Sequence, residues 1–71
     1  MDIFLLEDDA YLRDGLLEML QGRDYEVESA ESIKKAEIII KEKRFSLLIF
    51  DVMLSDGSSF DLCEKLRAQG V

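Results

Sequence analysis

The sequence contains no proline, and a single cysteine, Cys63, stands among its 71 residues. One cysteine excludes an internal disulfide and fits a reducing, cytosolic setting. No stretch approaches the roughly 20 consecutive apolar residues of a membrane span, and no basic leader precedes an apolar block. The chain therefore reads as soluble and cytoplasmic, with no membrane as partner. Positive charge is scarce: nine Lys and Arg stand against sixteen Asp and Glu, a net charge of −7. Phosphate backbones are bound by clustered Lys and Arg, so direct nucleic-acid binding by this segment is not expected. Low-complexity tracts and internal linkers are also lacking, and the length allows one domain at most. A chain near this size buries only about 60% of its unfolded surface, which leaves little stability to spare.

What the chain does have is two apolar runs that each stop on acid. Leu47-Leu48-Ile49-Phe50 ends on Asp51, and Ile3-Phe4-Leu5-Leu6 ends on Glu7-Asp8-Asp9. A continuous apolar run is the mark of a parallel strand buried on both faces, and its carboxyl end is where an open sheet presents reactive groups. Side by side, two such strands crowd up to four carboxylates into one crevice. Such a cluster either binds a cation or repels itself strongly. Most of the other acids read as surface groups that give solubility.

Between the runs the spacing turns helical. Asp9 can cap a helix bearing Leu12, Leu16, Met19 and Leu20, with Leu17 widening the stripe and Gly22 at its end. Tyr25 to Ala30 alternates as a strand with one polar side. Ser32 caps a second helix with Ile33, Ala36, Ile39 and Ile40, closed by the basic run Lys41 to Arg44; Ile38 falls off the stripe. Phe45 to Val52 forms a third strand, the most apolar and so the one expected in the middle of the sheet. Ser55 to Ser59 reads as a loop with Asp56-Gly57 as a turn, and Phe60, Cys63 and Leu66 line a third helix that stops at Gly70. Cys63 reads as a small core-facing residue. The order βαβαβα implies right-handed crossovers and a parallel sheet flanked by helices, an α/β fold. The third strand would then expose an apolar edge at Phe45–Phe50, open to pairing with another chain. Val71 would begin a fourth strand.

A hard divalent ion suits clustered carboxylate oxygens. Mg2+ takes near-octahedral oxygen ligands and keeps several waters. With such a cation present, an ionised Asp51 can act as an oxygen nucleophile toward phosphorus.

Ile3-Phe4-Leu5-Leu6-Glu7-Asp8-Asp9, taken with Leu48 to Gly57, resembles the receiver domain of bacterial two-component response regulators. Val27 to Ser32, followed by Ala36, resembles the second strand and helix of that family. The resemblance implies the first three βα units of a flavodoxin-like doubly wound sheet, strand order 2-1-3. It implies that residues 1–71 are a truncated receiver lacking its second half and any output domain. It also implies that Asp51 accepts a phosphoryl group from a sensor histidine kinase. Mg2+ would be held by Glu7, Asp8 and Asp51 with the backbone carbonyl of Met53, and Asp9 would be a helix cap. The stretch around Asp51 and Phe60-Asp61-Leu62-Cys63 is similar to the transcription-factor branch carrying a winged-helix domain, so the full-length protein would regulate transcription. The resemblance implies a phosphoacceptor rather than an enzyme.

The chain departs from the family pattern at Ser55, where proline is usual and stiffens the turn. Ser59 stands where glycine is common, and Glu37 at a position usually apolar. The missing half would supply the hydroxyl and lysine that bind phosphoryl oxygens, so a phosphorylation-driven switch has no visible second state here. Two further function classes stay open. One is a phosphorylation-incompetent fragment that acts only by pairing through the Phe45–Phe50 edge. The other is a phosphoaspartate hydrolase, which would need a second aspartate where Met53 stands.

Overall fold

The computed structural model describes residues 2–51, 53–54 and 56–70. The elements run β1 Asp2–Leu6, α1 Ala10–Gln21, β2 Glu26–Ala30, α2 Ile33–Glu42, β3 Leu47–Phe50, β4 Met53–Leu54, β5 Gly57–Ser58 and α3 Ser59–Ala68. β1, β2 and β3 form a parallel sheet in the order β2-β1-β3, with Ile3 opposite Val27 and Leu47, and Leu6 opposite Ala30 and Phe50. The expected order 2-1-3 and the α/β class are thus observed. β1 takes the middle of the sheet, and its Ile3, Phe4, Leu5 and Leu6 are all buried, as a parallel strand covered on both faces requires.

The two faces of β1 differ. Phe4 and Leu6 point into one cluster with Ala30, Ala36, Ile40, Leu54, Leu62 and Leu66, beneath α2 and α3. Ile3 and Leu5 alternate to the other face, where α1 lies over β1 and β2. Leu48 and Phe50 of β3 are half-buried against the cluster, whereas Leu47 is 46% exposed. Among the described residues no strand pairs with the outer edge of β3.

All three helices turn inward on an i, i+3, i+4, i+7 strip, but two strips differ from the expected ones. In α1 the inward positions are Arg13, Leu16, Leu17 and Leu20, all half-buried, while Leu12 and Met19 are each 55% exposed. The stripe is rotated because Arg13 Nη1 donates to the Glu7 carbonyl at 2.9 Å, drawing that position to the sheet. An arginine stem can line an apolar face while its guanidinium finds a polar partner. In α3 the strip is Ser59, Leu62, Cys63 and Leu66; Phe60 lies outward, 68% exposed. In α2, Ala36 and Ile40 are buried and Ile38 is exposed. Glu37 is half-buried beside them, and Lys65 Nζ of α3 meets its Oε2 at 3.0 Å, so the acid at that apolar position links two helices.

Two further differences concern backbone. Gly22 ends α1 in right-handed conformation, φ −64°, and Asp24 takes the left-handed one, φ 64°. Asp tolerates that region better than most residues. The segment expected to be a loop after Asp51 contains a short antiparallel hairpin, Met53 against Ser58 and Leu54 against Gly57, because Leu54 is drawn into the core. Val52, Ser55 and Val71 lie outside the described residues, so the end of the third strand, the missing proline and the fourth strand are not among the features seen.

Candidate functional site

The carboxyl ends of β1 and β3 meet because the parallel register sets Leu6 beside Phe50. One more bond on each side carries the ladder past the strand ends. Asp51 N–H donates to the Leu6 carbonyl at 2.8 Å, and Glu7 N–H donates to the Ala30 carbonyl at 3.1 Å. Both acidic residues are therefore pinned by their own main chain. Asp8 follows Glu7 at the start of the turn into α1, and Asp9 closes that turn. Its Oδ1 accepts from the Tyr11 and Leu12 amides at 2.9 and 3.1 Å, which makes it the cap of α1.

One carboxylate oxygen from each of Glu7, Asp8 and Asp51 lies within 4.8 Å of the others. Glu7 is buried at the back, Asp51 is half-buried, and Asp8 faces solvent. Met53, whose carbonyl the resemblance makes a ligand, follows two residues after Asp51 in β4. Mg2+ with oxygens at about 2.0–2.1 Å holds opposite ligands about 4.2 Å apart. Three hard oxygens at this spacing, open to water on one side, fit such an ion with some ligands direct and others bridged by water. No described Lys or Arg forms an ion pair with Glu7 or Asp8. The nearby guanidinium of Arg13 is spent on the Glu7 carbonyl instead.

The electrostatics point the same way. Burial above all pushes the Glu7 carboxyl above its ordinary range; the Asp9 amide is the next largest influence and pulls it down, and the hydrogen bond and charge of Asp51 and the hydrogen bond of Asp8 add smaller upward pushes. A carboxyl whose folded value is raised stabilises the fold fully below its unfolded value, and that contribution is lost as pH rises through the folded value. Asp56 and Glu31 behave oppositely. Backbone amides of Ile33 and Lys34 hold Asp56 below its ordinary value, and Lys35 does so for Glu31. Their stabilisation is present above the ordinary values and is lost as pH falls through the lowered ones. In EDTA, the melting temperature is expected to peak in the mildly acidic range and decline toward neutrality. Glu7→Gln should remove the decline on the neutral side. Thermal melts across pH, followed by circular dichroism, check this; a parent chain that melts identically at about pH 5 and 7 contradicts it.

Asp56 has a place that its role as a turn residue did not indicate. Its Oδ1 and Oδ2 accept from the Ile33 and Lys34 amides of α2 at 3.0 and 3.2 Å. Next to it Gly57 has φ 147°, and a Cβ there would sit 3.0 Å from Ile33 Cδ1. Gly57→Ala is expected to cost about 1–3 kcal/mol from backbone strain, read as a lower melting temperature. A melt unchanged by the substitution would show that the turn relaxes freely.

A family profile described as "Response regulator receiver domain" matches residues 3–71. The chain belongs to that family. This receiver is 37% identical over 65 residues to the transcriptional regulatory protein CrdR of Helicobacter pylori, covering 92% of this chain and 30% of that protein. It is 33% identical over 67 residues to the transcriptional regulatory protein PmrA of Pectobacterium parmentieri, covering 94% of this chain and 30% of that protein. The chain thus spans under a third of the length of these curated relatives. Among solved structures, the non-phosphorylated HemR receiver domain from Leptospira biflexa superposes with a TM-score of 0.86 at 40% identity, over 92% of this chain and 52% of that one. Receivers of transcriptional regulators are signalling domains of phosphorelays rather than classical enzymes, and the fold found here is theirs. Among the described residues, no helix is long and apolar enough to cross a membrane.

Proposed function

We propose that this receiver accepts a phosphoryl group on Asp51 from the phosphohistidine of a sensor kinase, in the cytoplasm, with Mg2+ held by Glu7, Asp8, Asp51 and the Met53 carbonyl. The observation that carries the reading is the convergence of three carboxylates within 4.8 Å at two adjacent strand ends. A bound Mg2+ would supply neutralisation of charge on the transferring phosphoryl oxygens. An Asp51 carboxylate oxygen attacks phosphorus, the P–N bond to the imidazole breaks, and its electron pair returns to the ring nitrogen. The product is an acyl phosphate. The Leu6 carbonyl holds the Asp51 main chain during this step, and Asp8, the exposed member, lies where a donor can approach. The relatives are named transcriptional regulatory proteins, which supports a role for this receiver in transcription control.

The test is intact mass after incubation with Mg2+ and a small phosphodonor. One phosphoryl adduct is expected, absent in EDTA. A folded chain that never gains the adduct favours the reading of an interaction module without phosphotransfer.

A further inference from the structure

We infer that Asp56 is a positioning residue for the site: by gripping the first turn of α2 it fixes the segment after Asp51 and thereby sets the affinity for Mg2+. The inference rests on the reading of the acid cluster as a Mg2+ site. Among the described residues, the backbone after Asp51 runs through a very small hairpin. β4 and β5 are two residues each, and an isolated two-stranded hairpin is marginal in water. Among the described residues, three anchors tie it to the rest of the fold. Asp51 N–H is bonded to Leu6, Leu54 is buried in the core at 7% exposure, and Asp56 is bonded to the amides of Ile33 and Lys34. Met53, the proposed carbonyl ligand, lies between the first anchor and the other two.

The grip is more than an incidental cap. The first amides of a helix have no partner within it, and in α2 they are shared between two sources. Ser32 Oγ accepts from Lys35 at 3.2 Å, the cap within the helix's own sequence. The two amides before Lys35 are satisfied from more than twenty residues away in the chain, by both oxygens of one carboxylate. A negative charge is favoured at a helix N-terminus, and two bonds fix orientation where one would leave a pivot. Gly57 follows at once and passes close to Ile33, so the turn is seated on α2 at two adjacent residues. Groups that orient metal ligands from behind typically change metal affinity about 10–100-fold when removed.

The experiment is a Mg2+ titration of the whole chain followed by amide chemical shifts, which report folding in the same spectra. Asp56→Ala is expected to raise the Mg2+ Kd about tenfold. Asp56→Asn, which keeps one acceptor oxygen, should raise it less. Ser32→Ala, which removes the other cap of the same turn, should lower the melting temperature and leave the Kd unchanged. If Asp56→Ala fails to fold, the comparison of Asp56→Asn with Ser32→Ala decides alone. Equal Kd values for the parent and the folded Asp56 variants overturn the inference and leave Asp56 a helix cap only. No Mg2+ binding by the parent chain overturns the reading of the site, and this inference with it.

Discussion

Asp51→Asn is expected to abolish the phosphoryl adduct and to reverse the order of stability with and without Mg2+. The loss is complete because an amide cannot become an acyl phosphate, while the size and one acceptor oxygen of the side chain are kept. The stability effect follows from the neighbours. Asp51 raises the Glu7 carboxyl through both a hydrogen bond and its charge, and Glu7 is buried. Removing the Asp51 charge relieves that pair, so without metal at neutral pH the variant should melt above the parent. With Mg2+ the parent gains what the variant cannot. A ligand at 100 times its Kd adds about 2.7 kcal/mol, and the variant has lost one charged oxygen of the set. Melts in EDTA and in saturating Mg2+ should therefore cross. A mass gain persisting in Asp51→Asn puts the acceptor elsewhere, and melts that fail to cross speak against a cation at these acids.

The meeting of the acids was legible because it depends on local signals of high contrast, whereas the strand order 2-1-3 followed only from the family resemblance. Two apolar runs ending on acid, separated by helical spacing, leave few arrangements, and parallel register brings Leu6 beside Phe50 whatever the side chains elsewhere. The helix faces were less legible. An apolar count favours Leu12 over Arg13, yet Arg13 turns inward because the Glu7 carbonyl at the strand end offers an acceptor. Phe60 was drawn into the expected stripe by its hydropathy, although Ser59, Leu62 and Leu66 are the buried positions of α3. A small residue at Ser59 lets the helix start lie close to the core, and a phenylalanine one position on must then point out. Asp56 was least legible of all. Asp-Gly is a turn signal, and nothing local reveals that the carboxylate caps a helix 22 and 23 residues earlier.

Phe4→Ala is expected to remove cooperative folding at room temperature. Phe4 is fully buried at the middle of the sheet, and its ring meets Phe45 at 5.4 Å, tilted 54°, and Phe50 at 6.4 Å, edge-on. Truncating a buried phenylalanine costs about 3–5 kcal/mol, and each aromatic pair adds about 0.5–1.5 kcal/mol beyond area. Native chains hold about 0.05–0.15 kcal/mol per residue, so a chain of this length has about 4–11 kcal/mol in all. At the lower half of that range the substitution consumes the whole margin. The contrast is Leu47→Ala, at a position 46% exposed on the open edge, where surface-like changes stay within about 0.5 kcal/mol. Urea titrations followed by far-ultraviolet circular dichroism separate the two. A sigmoidal transition retained by Phe4→Ala near the parent midpoint would show that Phe4 is not the centre of the core. The site depends on the same residue, because the strand that Phe4 anchors is the one that ends on Glu7 and Asp8. The Phe4→Ala chain should therefore also fail to respond to Mg2+, although no acid has been touched.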